Sequence, residues 1–203
     1  MFSFFSDFKR RRNLAKLKDE NFKFLFEDIE DEYVVFDTET TGLNPKEDEI
    51  LSIGAVKIKG NKILTSQTFE VYIKNLKEIS SKSIEIHGIR PCDLENARSA
   101  DEAVKEFLNF IQGRVLVGYY LEFDIAMINK YIVPILGIKL PNKAVEISEI
   151  YYDSQIATIP QGHIDLRFDT MLKKFDIPNM GVHNAVNDAV MSAMIFLKLK
   201  GEK

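Results

Sequence analysis

Cysteine occurs once in this 203-residue chain, as Cys92, which excludes an internal disulfide and a cysteine-built metal site. Long hydrophobic runs are missing as well. None approaches the roughly 20 apolar residues that a membrane-spanning helix needs. The amino terminus, MFSFFSDFKRRR, places aromatics before basic residues, the reverse of a secretory signal. A cytoplasmic protein with no membrane partner is expected. Internal repeats and low-complexity stretches are absent, and so is an excess of positive charge: the formal net charge is −4. Most nucleic-acid-binding domains are basic, but a nest of carboxylates that holds cations gains its positive charge from them. Charge therefore excludes neither reading. What remains is ordinary for a soluble globular chain, 45% hydrophobic and 29% charged, and long enough for one domain with a sizeable core.

Residues 1–32 read as a prefix rich in Phe, with the basic run Lys9-Arg10-Arg11-Arg12. Leu14, Leu17, Phe22, Leu25 and Phe26 have rough helical spacing, so a helical appendage packed on the domain is expected. The basic run is either a solvated face or a phosphate contact. The body starts with Tyr33-Val34-Val35-Phe36, a buried strand, broken by Thr41-Gly42-Leu43-Asn44-Pro45. Ile50 to Ile58 and Ile63 to Ile73 alternate about Gly60-Asn61 and predict a hairpin. Ala100 to Ile111 is an amphipathic helix and Val115 to Gly118 a buried strand. Phe123 to Leu136 is helical, with Pro134 near its end, and Asn184 to Leu199 is the last helix. Residues 145–157 and 165–175 give weaker helical patterns. The order predicts an α/β fold, a mixed sheet with helices packed on it.

Certain carboxylates stand where apolar residues are expected. Val35, Asp37 and Glu39 share one strand face if the strand continues through them. Two such acids repel and lose hydration unless a cation lies between them; otherwise the strand has ended and both are solvated. Asp124 shares a helical stripe with Met127, Ile128, Tyr131 and Ile132, unless it only caps the helix start. Asp188 lies on a stripe with Ala185, Met191, Ser192, Ile195 and Leu199, inside its helix, where capping explains it less well. Oxygen-only ligands suit Mg²⁺ or Mn²⁺ rather than zinc. His183 precedes Asp188 by five residues, beyond Gly181. A loop histidine there can swing over a site fed by Asp188, or it is simply exposed. His87, before Gly88 in an expected turn, and His163, after Gly162 in an expected loop, fit a site less well.

At these residues the sequence resembles the DEDD exonuclease superfamily in its histidine branch, which includes the proofreading epsilon subunits of bacterial DNA polymerase III. The motifs are Phe36-Asp37-Thr38-Glu39-Thr40-Thr41-Gly42-Leu43, then Leu116 through Asp124, then His183-Asn184-Ala185-Val186-Asn187-Asp188-Ala189. Ile86-His87-Gly88-Ile89 matches a further family segment. The likeness covers about residues 33–199, which sets an exonuclease domain at 33–203 behind the appendage at 1–32. One departure is Tyr119-Tyr120, where many relatives carry His-Asn.

The resemblance implies a ribonuclease-H-like fold and two ions, Mg²⁺ or Mn²⁺, about 3.5–4 Å apart that clamp the attacking and leaving oxygens. Asp37 would bridge them. Glu39, also catalytic, and Asp188 would complete their shells, with Asp124 acting directly or through water. His183 would be the general base, since histidine titrates near neutrality. Thr40 and Thr41 would meet the 3′-hydroxyl, and Leu43 would wedge against the last base. Tyr119 and Tyr120 would either stack on a base or sugar or pack internally. The implied activity is 3′-5′ exonuclease action on single-stranded DNA ends, releasing nucleoside 5′-monophosphates in proofreading or DNA repair. An exoribonuclease or oligoribonuclease-like enzyme and an inactive nucleic-acid-binding module are the alternatives. A DNA polymerase or repair protein is the expected partner. The stretch after the last helix is short, which favours a free-standing enzyme unless residues 1–32 are a tether.

Overall fold

The run Tyr33 to Phe36 lies within the central strand of a five-stranded sheet, and that strand extends through both of its acids. The computed structural model describes residue 10 and residues 12–75, 77–156, 164–181 and 183–201. Strand β1 (Glu32–Thr40) pairs antiparallel with β2 (Ile50–Lys59), and β2 antiparallel with β3 (Lys62–Tyr72). On its other side β1 runs parallel to β4 (Val115–Gly118), and β4 parallel to β5 (Ala144–Glu146). The order is β3-β2-β1-β4-β5. The hairpin turn falls where the sequence places it, with Gly60 at φ 59°, a left-handed conformation that glycine accepts without strain.

Six α-helices flank the sheet among the described residues: α1 (Ser81–His87), α2 (Ala100–Ile111), α3 (Leu121–Leu136), α4 (Ile147–Ile156), α5 (Phe168–Lys174) and α6 (Ala185–Gly201). Helix α2 starts at a capping box of Ser99 and Glu102 and buries Ala103, Val104, Phe107, Leu108 and Ile111, the stripe its spacing predicts. None of the described helices is long and apolar enough to cross a membrane.

The alternation of β1 side chains divides the core in two. Val34 and Phe36 pack with α2 and α3, Phe36 meeting Phe107 at 5.0 Å between ring centroids. Val35 packs on the opposite face with Val56, Ile58 and the apolar side of α6. Residues Glu20–Phe26 form a 3-10 helix whose Phe22 and Leu25 are buried in the first core. The chain just beyond it touches the turn before β4 so closely that a Cβ on Gly113 would stand 1.7 Å from the Glu27 carbonyl oxygen. Of the basic run, Arg10 pairs with Asp28 at 2.7 Å; Lys9 and Arg11 lie outside the described residues.

A second close approach sets the site. Gly54 of β2 stands opposite Asp37 of β1. A Cβ at Gly54 would lie 2.2 Å from both the Ala185 carbonyl carbon and the Val186 nitrogen. The missing side chain lets the first turn of α6, which carries Asp188, press against the sheet beside Asp37.

Candidate active site

Asp37 and Glu39 stand on one face of β1, inside the strand, which removes the reading in which the strand has already ended. Glu39 is only 7% exposed and Asp37 is half-buried. Helix α6 begins after Asn184, whose Oδ1 accepts the Asn187 N–H at 3.0 Å, and brings Asp188 to the same place from above. One carboxylate oxygen each from Asp37, Glu39 and Asp188 lie within 4.8 Å of one another. These three residues form a cluster able to hold a metal ion.

Asp124 approaches from α3 and is 3% exposed. It does not cap its helix: its Oδ1 accepts the N–H of Thr38 at 3.0 Å and the Thr38 hydroxyl at 2.6 Å. The helix start is served instead by Glu146, at the end of β5. Its carboxylate accepts the N–H groups of Tyr120 at 3.1 Å and Leu121 at 2.8 Å, and it also takes the N–H and hydroxyl of Ser148. Tyr120 takes the left-handed conformation at the N-cap, φ 55°, and offers no side-chain cap.

Burial raises the carboxyl pKa of all these acids. Asp37 is pushed well above the ordinary range by burial first and then by the charges of Asp124, Glu39 and Asp188. Glu39 rises to about 7, again through burial, then Asp188 and Asp124. Burial raises Asp124 against the opposing hydrogen bonds of Thr38, and raises Asp188 against the His183 N–H. Two oxygens in the nest, Glu39 Oε1 and Asp188 Oδ1, are buried with no hydrogen-bond partner. A buried acceptor left unmatched is costly. An all-oxygen donor set with such orphaned atoms fits a hard divalent cation, Mg²⁺ or Mn²⁺.

His183 lies on the loop ahead of α6, exposed and at φ 64°, with its N–H donated to Asp188 Oδ2 at 2.8 Å. Thr40 donates its hydroxyl to the Gly42 carbonyl at 2.7 Å. Thr41 donates to Asp48 Oδ1 at 2.9 Å, and Asp48 Oδ2 accepts the Asn44 N–H at 2.8 Å. This bracing holds the turn that projects Leu43, 85% exposed. Tyr119 is half-buried, its hydroxyl donating to the Leu166 carbonyl at 3.0 Å. Tyr120 is 64% exposed. All ten residues singled out in the sequence, apart from Thr41, line one cavity of about 600 Å³.

His87, expected from its place before Gly88 to fit a site less well although its segment matches the family, lines the same cavity. It ends α1, with Gly88 as the left-handed C-cap. Its Nδ1 accepts the Ile89 N–H at 3.0 Å, so Nε2 carries the proton and faces Ser83 Oγ, also at 3.0 Å. Ser83 in turn lies within hydrogen-bond reach of the Thr40 and Thr41 carbonyls. Burial, then the nearby His183, push the His87 pKa down. Arg167, Phe168 and Asp169 also line the cavity and were not found in the sequence. His163 lies outside the described residues.

The family model RNase_T, an exonuclease, matches residues 34–196. A PolC-type DNA polymerase III of Thermotoga maritima is 35% identical over 169 residues, 82% of this chain and 12% of that protein. The epsilon subunit of DNA polymerase III of Rickettsia conorii is 31% identical over 173 residues, 83% of this chain and 73% of that subunit. The chain thus spans about an eighth of the PolC-type relatives it matches. E. coli exonuclease I, solved with a dT13 oligonucleotide, superposes with a TM-score of 0.72 at 14% identity, over 84% of this chain and 41% of that one. At that identity the likeness concerns the fold, and it matches the ribonuclease-H-like sheet expected from the motifs.

Proposed function

The chain belongs to the RNase_T family of exonucleases, and from that premise we propose that it is a divalent-metal-dependent 3′-to-5′ exonuclease acting on single-stranded DNA ends. The observation that carries this is the convergence of Asp37, Glu39 and Asp188 within 4.8 Å, with two buried oxygens unmatched. These acids would hold Mg²⁺ or Mn²⁺, with Asp124 contributing directly or through water. Two ions bound there would supply Lewis-acid polarisation of the phosphate and neutralise developing charge.

The protein's own residues do the rest. His183, reaching in from its loop, takes the proton from the attacking water. Asp188 orients that loop through the His183 N–H. The backbone of Thr40 and Thr41 receives the terminal 3′-hydroxyl, and Leu43 wedges against the last base. Tyr120, exposed at the rim, stacks on the nucleotide behind it, while Tyr119 supports it from within. The product is a nucleoside 5′-monophosphate. The names of the relatives, PolC-type polymerase and epsilon subunit, support DNA as substrate and a polymerase or repair assembly as partner.

The test uses matched DNA and RNA single strands labelled at either end. Label at the 3′ nucleotide should be released first, DNA should be the better substrate, a 3′-phosphate should block digestion and a 5′-phosphate should not. Early release of label from the 5′ nucleotide would show the direction to be wrong.

A further inference from the structure

We propose that Arg167, aimed by Asp165, is a phosphate clamp for the strand leading into the site, gripping a backbone phosphate upstream of the bond being cut. Resting on the exonuclease reading above, the inference adds a residue that determines how the strand is held. The cavity is strongly acidic, and Arg167 is the only lysine or arginine among the described residues that line it. Divalent cations held by the carboxylate nest would serve the reacting phosphate. A single strand also brings further phosphates past the rim, and these need a cation that the nest does not offer.

The geometry around Arg167 is built to present one edge of its guanidinium. Asp165 accepts from Arg167 Nε and Nη2 and also from the Arg167 backbone N–H. The Thr170 hydroxyl donates to the same carboxylate at 2.8 Å, which ties it to the first turn of α5. Nη1 makes no hydrogen bond to a described residue. The side chain is 81% exposed, so this pair adds little to stability. What it does is remove rotamer freedom from a long side chain and leave the planar Nη1 edge for an anion.

Arg167 is also fixed relative to the aromatic rim. Leu166, its neighbour, accepts the Tyr119 hydroxyl, and the Tyr119 ring lies 5.0 Å from Phe168 and 4.6 Å from Tyr120. A cation and an exposed ring lining one cavity can hold single strands without reading sequence, the ring taking a base and the arginine a phosphate.

The experiment couples the residue to one linkage. Wild type and Arg167→Ala are compared on single-stranded DNA in which a neutral methylphosphonate replaces the second, third or fourth linkage from the 3′ end in turn. In wild type, one of these positions should raise KM by roughly tenfold, the size of a charge-assisted contact. In Arg167→Ala, KM for the unmodified strand should already be raised by that factor, and the same replacement should add less than about twofold. The dependence of log(kcat/KM) on log salt should also be shallower by about 0.7 in the variant. Arg167→Lys, which keeps the charge without the fork, should restore most of the salt slope but only part of KM. Unchanged KM and salt slope in Arg167→Ala, or equal penalties at every linkage in both proteins, would overturn the clamp. If wild type releases no nucleotide from any strand, the exonuclease reading falls and the clamp with it.

Discussion

Asp124 commits one oxygen to Thr38, taking both its N–H and its hydroxyl, whereas Glu39 Oε1 and Asp188 Oδ1 accept nothing. The acids therefore differ: one oxygen of Asp124 is held by the protein, whereas Glu39 Oε1 and Asp188 Oδ1 are the buried oxygens that the proposed cation would satisfy. His183 differs again, because it is exposed and hydrogen-bonds Asp188 through its backbone N–H. We expect His183→Ala to lower turnover by roughly 10²–10⁴-fold, the usual range for a general base, with little change in metal affinity. The acidic limb of its rate-versus-pH curve should flatten; a limb that persists unchanged would assign the base to another group. The two tyrosines should separate cleanly. Tyr120→Ala should raise KM for single strands by about tenfold, with Phe at that position nearly silent, because the ring and not the hydroxyl would carry the stack. Tyr119→Ala should chiefly lower the thermal midpoint and raise KM by less than Tyr120→Ala does, since its hydroxyl and ring act from within to support the rim. A stable Tyr120→Ala with wild-type KM would remove the stacking role.

Helix α6 is brought to its place by an absent side chain. Gly54→Ala puts a methyl 2.2 Å from the α6 backbone, and the helix must retreat because backbone cannot rotate away. We expect a loss of about 1–3 kcal/mol in stability together with a fall in activity larger than the loss of folded protein explains, since Asp188 would move off Asp37. Activity in strict proportion to folded protein would show that this contact is structural only. None of this was legible in the sequence, where Gly54 is one apolar position in a strand. The elements with strong periodicity were legible: α2 and β4 have the predicted bounds, and the hairpin agrees within a residue. Strand β5 was missed because three residues carry no period of their own and exist by pairing with β4. Helix α1 was missed because it is short, and Gly88, read as a turn, is its C-cap. The acids could be found because they break an apolar pattern. His87, Arg167 and Phe168 break none; His87 was flagged only by its family-like segment, and for Arg167 and Phe168 only the folding of distant segments brings them to the cavity.

For the molecule as a whole, the nest sets a stability profile opposite to that of most acid-paired proteins. Asp37, Glu39, Asp124 and Asp188 all keep their protons to higher pH folded than unfolded, burial being the first cause for each. Between about pH 5 and 7 these four acids bind more protons in the folded, cation-free chain than in the unfolded one, so their contribution to stability falls as pH rises. That contribution is complete below the ordinary carboxylate range and is lost as pH passes Glu39's value of about 7. In chelator the thermal midpoint should be higher at pH 5 than at pH 8. Mg²⁺ or Mn²⁺ should raise it at pH 8 and do little at pH 5, because only the ionised nest binds them. A chelated protein that grows more stable from pH 5 to pH 8 and ignores both ions would contradict the buried-acid account. The claim that this nest is a metal-dependent nuclease site meets its most direct test in one measurement: nucleotide release from a 3′-labelled DNA single strand by wild type and Asp37→Asn, titrated with Mn²⁺ and then with excess chelator. Wild type should release nucleoside 5′-monophosphate only while the ion is present, and Asp37→Asn should lose nearly all release at every concentration. Wild-type rates in Asp37→Asn, or release that continues in chelator, would contradict it.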